Sequence, residues 1–173
     1  VLYDGDLIAG GSFRSAGGGT ANGLARWDGS AWHPMGGGVD GLVYALTEYE
    51  GDLIIGGNFR RIDTIEARSI ARFDGESFHT LGNGVNNQVF TLLSLQGDLL
   101  VGGDFGVAGN APNSSQIARW DGAEWHSVGG GMDKDYVFAL EVFRGDLIAG
   151  GQFVHAGGVT ANNLARFNGI SWD

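Results

Sequence analysis

The tetrad Gly-Asp-Leu-(Ile/Leu) occurs four times, starting at Gly5, Gly51, Gly97 and Gly145, at spacings of 46, 46 and 48 residues. Each tetrad is followed by a double glycine and an aromatic: Gly10-Gly11 with Phe13, Gly56-Gly57 with Phe59, Gly102-Gly103 with Phe105, and Gly150-Gly151 with Phe153. Each copy then reads (Leu/Ile)-Ala-Arg-(Trp/Phe)-(Asp/Asn)-Gly, ending at Gly29, Gly75, Gly122 and Gly169. A second aromatic follows at Trp32, Phe78, Trp125 and Trp172. A fixed period of this length means stacked supersecondary units, because one unit cannot bury its own apolar face. The copies run over about 1–42, 43–88, 89–136 and 137–173.

Within each copy lie four short runs rich in β-branched and aromatic residues, separated by turn signals. In the second copy they are about 43–49, 52–59, 69–73 and 77–81. Glu50-Gly51 and Asp74-Gly75 join them in pairs, and X-Gly between alternating runs is the strongest short hairpin signal, because the turn needs positive φ. Nowhere do apolar residues recur at helical spacing over ten or more positions. The pattern predicts an all-β chain, a β-propeller built of four four-stranded antiparallel blades. A β-solenoid has shorter coils and no need of two hairpins per period. Val1 aligns with Thr47, inside a first strand, and Asp173 follows the aromatic of a fourth, so the expectation is a fragment of a longer protein. Four blades could close alone, form an arc of a larger propeller, or be completed by a homodimer.

The double glycine after an apolar strand, with the downstream aromatic–turn–Trp set, resembles the kelch-type propeller repeat. Gly-Gly-x-Phe-x-x-Ala-Gly-Gly with Leu-Ala-Arg-Trp-Asp-Gly is also similar to repeats of large secreted bacterial surface proteins and of the Rax2-like cell-polarity family. The resemblance covers nearly all the chain. It implies an extracellular or cell-surface setting, bacterial in source, and leaves the activity open, since propellers host enzymes, lectins and scaffolds alike.

Composition removes other classes. The formal net charge is −10, and Lys134 is the one lysine, so no nucleic-acid partner is expected, because that affinity rests on Lys and Arg contacts to phosphates. The longest apolar stretches are a few residues, so no membrane insertion is expected. There is no Cys, which excludes a disulfide framework and the copper chemistry of galactose oxidase, whose kelch blades this fold resembles. No nucleophile elbow and no His-Glu-x-x-His appears, so the chain is expected not to be an enzyme.

Of 19 aromatics, 18 share a position with an aromatic of another copy, which assigns them to packing between blades. The four arginines Arg26, Arg72, Arg119 and Arg166 are expected to pair with Asp6, Asp52, Asp98 and Asp146 as a structural bridge repeated in each blade. His33, His79 and His126, with Asp173 at the fourth position, fall on the outer rim, too far apart to share a metal. His155 breaks the pattern. Arg144-Gly145-Asp146 spells an integrin-type tripeptide, but its Gly-Asp is a repeat hairpin. Asn113-Ser114-Ser115 is a lone glycosylation sequon.

Function in a repeat fold sits in what the scaffold does not dictate. The third copy carries two extra residues, one between Phe105 and Arg119 and one in the crossover to the next blade. That crossover holds Asp133, Lys134, Asp135 and Tyr136, the last being the aromatic outside the repeat. Tyr136 flanked by charges suits a sugar face, and Asp133 with Asp135 suits calcium; no other cofactor is expected. The same face should present Asp40, Asn86 and Asn87 from the other crossovers, and Arg60, Arg61, Asp63, Glu66 and Arg68 from a long loop of the second copy. The expected role is therefore a non-catalytic module binding a protein or glycan through its crossover-loop face. The alternatives are the scaffold of a carbohydrate-active lyase or hydrolase with catalytic residues elsewhere, and a structural spacer.

Overall fold

The computed structural model describes residues 1–133 and 135–173, and among them every regular element is a strand. The first repeat forms β1 (Leu2–Tyr3), β2 (Asp6–Gly10), a short pair β3 (Ser15–Ala16) and β4 (Gly19–Thr20), β5 (Leu24–Trp27) and β6 (Trp32–Pro34). The second forms β7 (Leu42–Tyr49), β8 (Asp52–Asn58), the pair β9 (Arg61–Ile62) and β10 (Ile65–Glu66), β11 (Ile70–Phe73) and β12 (Phe78–Thr80). The third forms β13 (Gln88–Leu95), β14 (Asp98–Asp104), β15 (Ile117–Trp120) and β16 (Trp125–Ser127). The fourth forms β17 (Tyr136–Phe143), β18 (Asp146–Gln152), the pair β19 (His155–Ala156) and β20 (Val159–Thr160), and β21 (Leu164–Phe167).

Each repeat is one antiparallel sheet with its strands in chain order, the short pairs set apart. These sheets are the blades of a β-propeller. Three of them have four strands. The fourth has three, its outer strand reduced to the single bridge Phe167–Trp172. The turns joining first and second strands have positive φ at both central residues, as at Glu50 (52°) and Gly51 (86°), the type I′ conformation that favours glycine at the second position. Every long inner strand carries a bulge: register shifts between Val43 and Ala45, between Val89 and Thr91, and between Val137 and Ala139. The extra residue at each bulge is an aromatic, Tyr44, Phe90 or Phe138.

Three cores fill the three blade junctions. Leu53, Ile55 and Ala71 of the second blade pack on Ile8 and Leu24 of the first. Ile54 and Ile70 of its other face pack on Val89, Leu99 and Val101 of the third. Leu100 and Ile117 pack on Val137 and Leu147 of the fourth. Strand alternation thus delivers the second and third sheets two apolar faces, one for each neighbour. The first glycine of the double glycine is the seat of this packing. A Cβ on Gly56 would stand 2.6 Å from Val89 Cγ1, and one on Gly102 would stand 2.7 Å from Val137 Cγ1. Gly10 seats Val43 in the same way. On the outer face of the fourth blade, Phe143 and Leu164 are 60% and 64% exposed, whereas Ile70 and Ile117, which match Leu164, are fully buried.

Candidate functional site

The repeated arginines lie on the third strands and meet the aspartates that open the second strands, because these two strands run antiparallel. Arg72 Nη1 donates to Asp52 Oδ2 at 2.6 Å, and Arg119 Nη1 to Asp98 Oδ1 at 2.8 Å. Arg26 donates to Asp6, and Arg166 reaches Asp146 at 3.4 Å and also Asp173. The guanidinium of Arg166 is held above its ordinary range by the Asp173 carboxylate. These pairs are a third to a half exposed on the arginine side, where an ion pair contributes about 0–1 kcal/mol. Arg72→Ala is therefore expected to lower the urea-unfolding free energy by no more than ~1 kcal/mol.

The rim histidines have partners that the sequence reading did not assign. In each of the first three blades an aspartate at the outer hairpin, Asp28, Asp74 or Asp121, accepts backbone N–H bonds through Oδ1 from the residues two and three ahead. Its Oδ2 meets the histidine five residues ahead. In the fourth blade Asn168 takes the same two backbone bonds. For Asp74 and Asp121 backbone donation is the main reason that the carboxyl titrates well below the usual range; for Asp28 the Ser30 hydroxyl comes first. A folded-state pKa below the unfolded one stabilises the protein above the ordinary carboxylate range and loses that contribution as pH falls through it. Asp74→Asn should keep the turn, as Asn168 does. Its urea midpoint should lie below wild type near pH 7 and approach it between about pH 4 and pH 2, because asparagine has no such contribution to lose.

The candidate binding residues fall at successive blade junctions, where most act first as braces. Asp40 Oδ1 accepts from Arg60 and Arg61 N–H at 2.8 and 2.9 Å. Asn86 Oδ1 does the same for Gly106 and Val107, and Asp133 Oδ1 for Val154 and His155. This one repeat position ties each crossover to the loop of the following blade. Asn87 Nδ2 donates to Asp104 at 3.0 Å, Asp63 Oδ1 accepts from Gly37 N–H at 2.8 Å, and Arg61 reaches the Thr64 carbonyl. Asp133 Oδ2 meets His155 Nδ1 at 2.8 Å, so both of its oxygens are engaged within the protein. Hydrogen bonds from His155 hold its carboxyl well below the usual range. Asp135 is exposed with φ of 69°, and the candidate Lys134 lies outside the described residues. Among the described residues no group of three or more His, Cys, Asp or Glu is arranged to hold a metal ion.

Tyr136 sits in an aromatic row. Tyr44 and Phe90 are 5.6 Å apart between ring centroids, Phe90 and Phe138 5.5 Å, and Tyr136 lies 5.9 Å from Phe90 and 5.5 Å from Phe138. Three of these are the bulge residues of the inner strands. Tyr44 and Phe138 are 43% and 52% exposed. Recurrence in three copies predicts packing for Tyr44, Phe90 and Phe138, yet a bulge aims its side chain out of the ladder. The alternation broken just before Ala45, Thr91 and Ala139 was the available sequence signal.

Residues 4–27 and 145–169 match a family described as "Domain of unknown function (DUF5122) beta-propeller". The two matched stretches are the Gly-Asp-Leu strand through the repeat arginine strand of the first and fourth blades, the segments that carry the double glycine. No curated protein matches the chain. Sequence repeat, sheet topology and family match agree on the architecture: the chain is a β-propeller whose repeats are its blades.

Proposed function

We propose that this propeller is a non-catalytic recognition module of an extracellular or cell-surface protein, and that it takes a glycan or a protein segment on its crossover-loop face. What carries the reading is the row of Tyr44, Phe90, Phe138 and Tyr136, which spans three blades beside the crossovers and leaves large ring surface in solvent. Exposed rings of this kind suit a sugar face or an apolar side chain. Beside it Asp40 and Asp133 are engaged in loop braces, and the arginine–aspartate bridges lie at the far end of the second strands, so these groups are poorly placed to act as free acid, base or nucleophile. The kelch-like and Rax2-like character of the repeats belongs to the same reading.

A glycan array probed with wild type, Tyr136→Ala and Phe138→Ala tests it. Each substitution is expected to weaken a bound glycan about tenfold, which corresponds to ~1.4 kcal/mol. No binding to any glycan removes the glycan version, and a partner captured equally by wild type and Phe138→Ala overturns the assignment to this face.

A further inference from the structure

The two end blades each leave one face without a neighbour, and both faces carry the residues of the three junctions inside the chain. The second blade meets the blade before it through Leu53, Ile55, Phe73 and Phe78. The first blade repeats these positions as Leu7, Ala9, Trp27 and Trp32, and its two indoles pack at 5.6 Å, as Trp120 and Trp125 do at 5.3 Å. Leu7 is 43% exposed, where Leu53, Leu99 and Leu147 are buried. Trp32 also stands at the position of Trp125 and Trp172, whose indole N–H groups donate to the Leu81 and Val128 carbonyls of the preceding blade. The face of the first blade is thus shaped to sit on another blade.

A blade meets the blade after it through a different set, Tyr49, Ile54 and Ile70 in the second. The fourth blade repeats that set as Phe143, Ile148 and Leu164, and Phe143 and Leu164 stand mostly in solvent. Among the described residues three apolar cores fill three junctions, and none joins the fourth blade to the first. Charge separates this pair of ends from the internal junctions. The hairpin between first and second strands lies against the outer hairpin of the following blade: Glu50 Oε2 is 3.5 Å from the place a Cβ on Gly122 would take, and Asp4 and Gln96 border the grooves that hold Gly75 and Gly169. The facing residues are therefore Asp4 with Asp74, Glu50 with Asp121 and Gln96 with Asn168, none of them opposite in charge. In the fourth blade this hairpin position is Arg144, whose Cζ lies 5.1 Å from the Phe143 ring centroid on the open face. The outer hairpin of the first blade carries Asp28. Only the fourth blade against the first brings opposite charges together.

We infer that the outer face of the fourth blade docks on the free face of the first blade of a second copy, so that two copies close head to tail into a ring of eight blades. Phe143 and Leu164 would pack on Leu7 and Trp27 of the second copy, and Arg144 would face its Asp28. The interface continues one that the chain already builds three times, and its two halves lie on the same molecule, which makes a second copy the fitting partner. It also accounts for Arg144, which the hairpin itself does not require. The interface is separate from the crossover-loop face and stands whether or not that face binds a glycan.

Sedimentation velocity of the full chain over a dilution series tests this. Wild type is expected to sediment as a dimer, at twice 18.1 kDa. Leu164→Asp and Leu7→Asp both alter exposed side chains, so each variant should keep a cooperative melting curve while association weakens by about a hundredfold or more. Mixed together, the two variants should associate more tightly than either does alone, because each retains the face that the other has lost. Arg144→Gln and Asp28→Asn should each weaken the dimer several-fold and remove the salt dependence that wild type shows, the asparagine keeping the hairpin as Asn168 does. Gly150→Val should leave the dimer intact, since β1, at two residues, brings no counterpart of Val43, Val89 or Val137 to that seat. A monomer at about 1 mM, a ladder of larger oligomers, or a dimer that survives Leu7→Asp overturns the proposal.

Discussion

Gly56→Val is expected to destabilise the protein by about 3 kcal/mol, and the same change at Gly150 by less than ~0.5 kcal/mol. Both glycines are the first of a double glycine on a second strand, and neither has positive φ, so backbone conformation does not separate them. The neighbour does. At Gly56 an added Cβ would stand 2.6 Å from Val89 Cγ1 and 3.2 Å from Leu92 Cδ1, with Val89 fully buried. Three carbons cannot enter a sheet-to-sheet contact that close unless the third blade moves off the second. At Gly150 an added Cβ meets nothing within 4 Å, and valine's strand preference offsets what little is lost. Urea midpoints of the two variants give the comparison. Equal losses would mean that the double glycine serves strand geometry rather than blade seating.

How far the sequence revealed this architecture depends on which relations repeat along it. Period, hairpin turns and four-fold blade count were legible, because each is a local pattern copied four times. The Arg–Asp pairing was legible from antiparallel geometry. The braces of Asp40, Asn86 and Asp133 were not: partner and acceptor lie about 20 residues apart in loops, where a polar residue reads as solvated, and only the crossing of one blade's loop over the next reveals the contact. The extra crossover residue of the third copy was found, and it falls between Asp133 and Val137, after the brace, where it lengthens the entry to β17 without breaking the tie. The lack of an indole bond at Phe78, where Trp125 and Trp172 make one, was invisible for a different reason. It arises from atoms that are absent, and a missing indole is noticed only when the other copies have shown what it touches.

One column of the repeat makes that point testable. Four residues after the repeat phenylalanine stand Gly17, Asp63, Gly109 and Gly157, and the outer aromatics of the same blades are Trp32, Phe78, Trp125 and Trp172. Glycine accompanies tryptophan, and aspartate accompanies phenylalanine. A Cβ on Gly109 would stand 2.5 Å from Trp125 Cδ1, and one on Gly17 would stand 2.9 Å from Trp32 Cβ. The backbone is left-handed at both Gly109 (53°) and Asp63 (49°), so aspartate already tolerates this conformation and the indole is the main obstacle. Gly109→Asp alone is expected to cost about 3 kcal/mol by overpacking. Trp125→Phe alone should cost about 1–2 kcal/mol, from lost volume and the lost bond to the Leu81 carbonyl. The double variant rebuilds the second blade's pair in the third, and it should cost less than the sum of the singles by about 1–3 kcal/mol. Urea unfolding of the four proteins in the cycle measures that coupling. Additive losses would break the link between the two columns and leave the glycines explained by backbone angle alone.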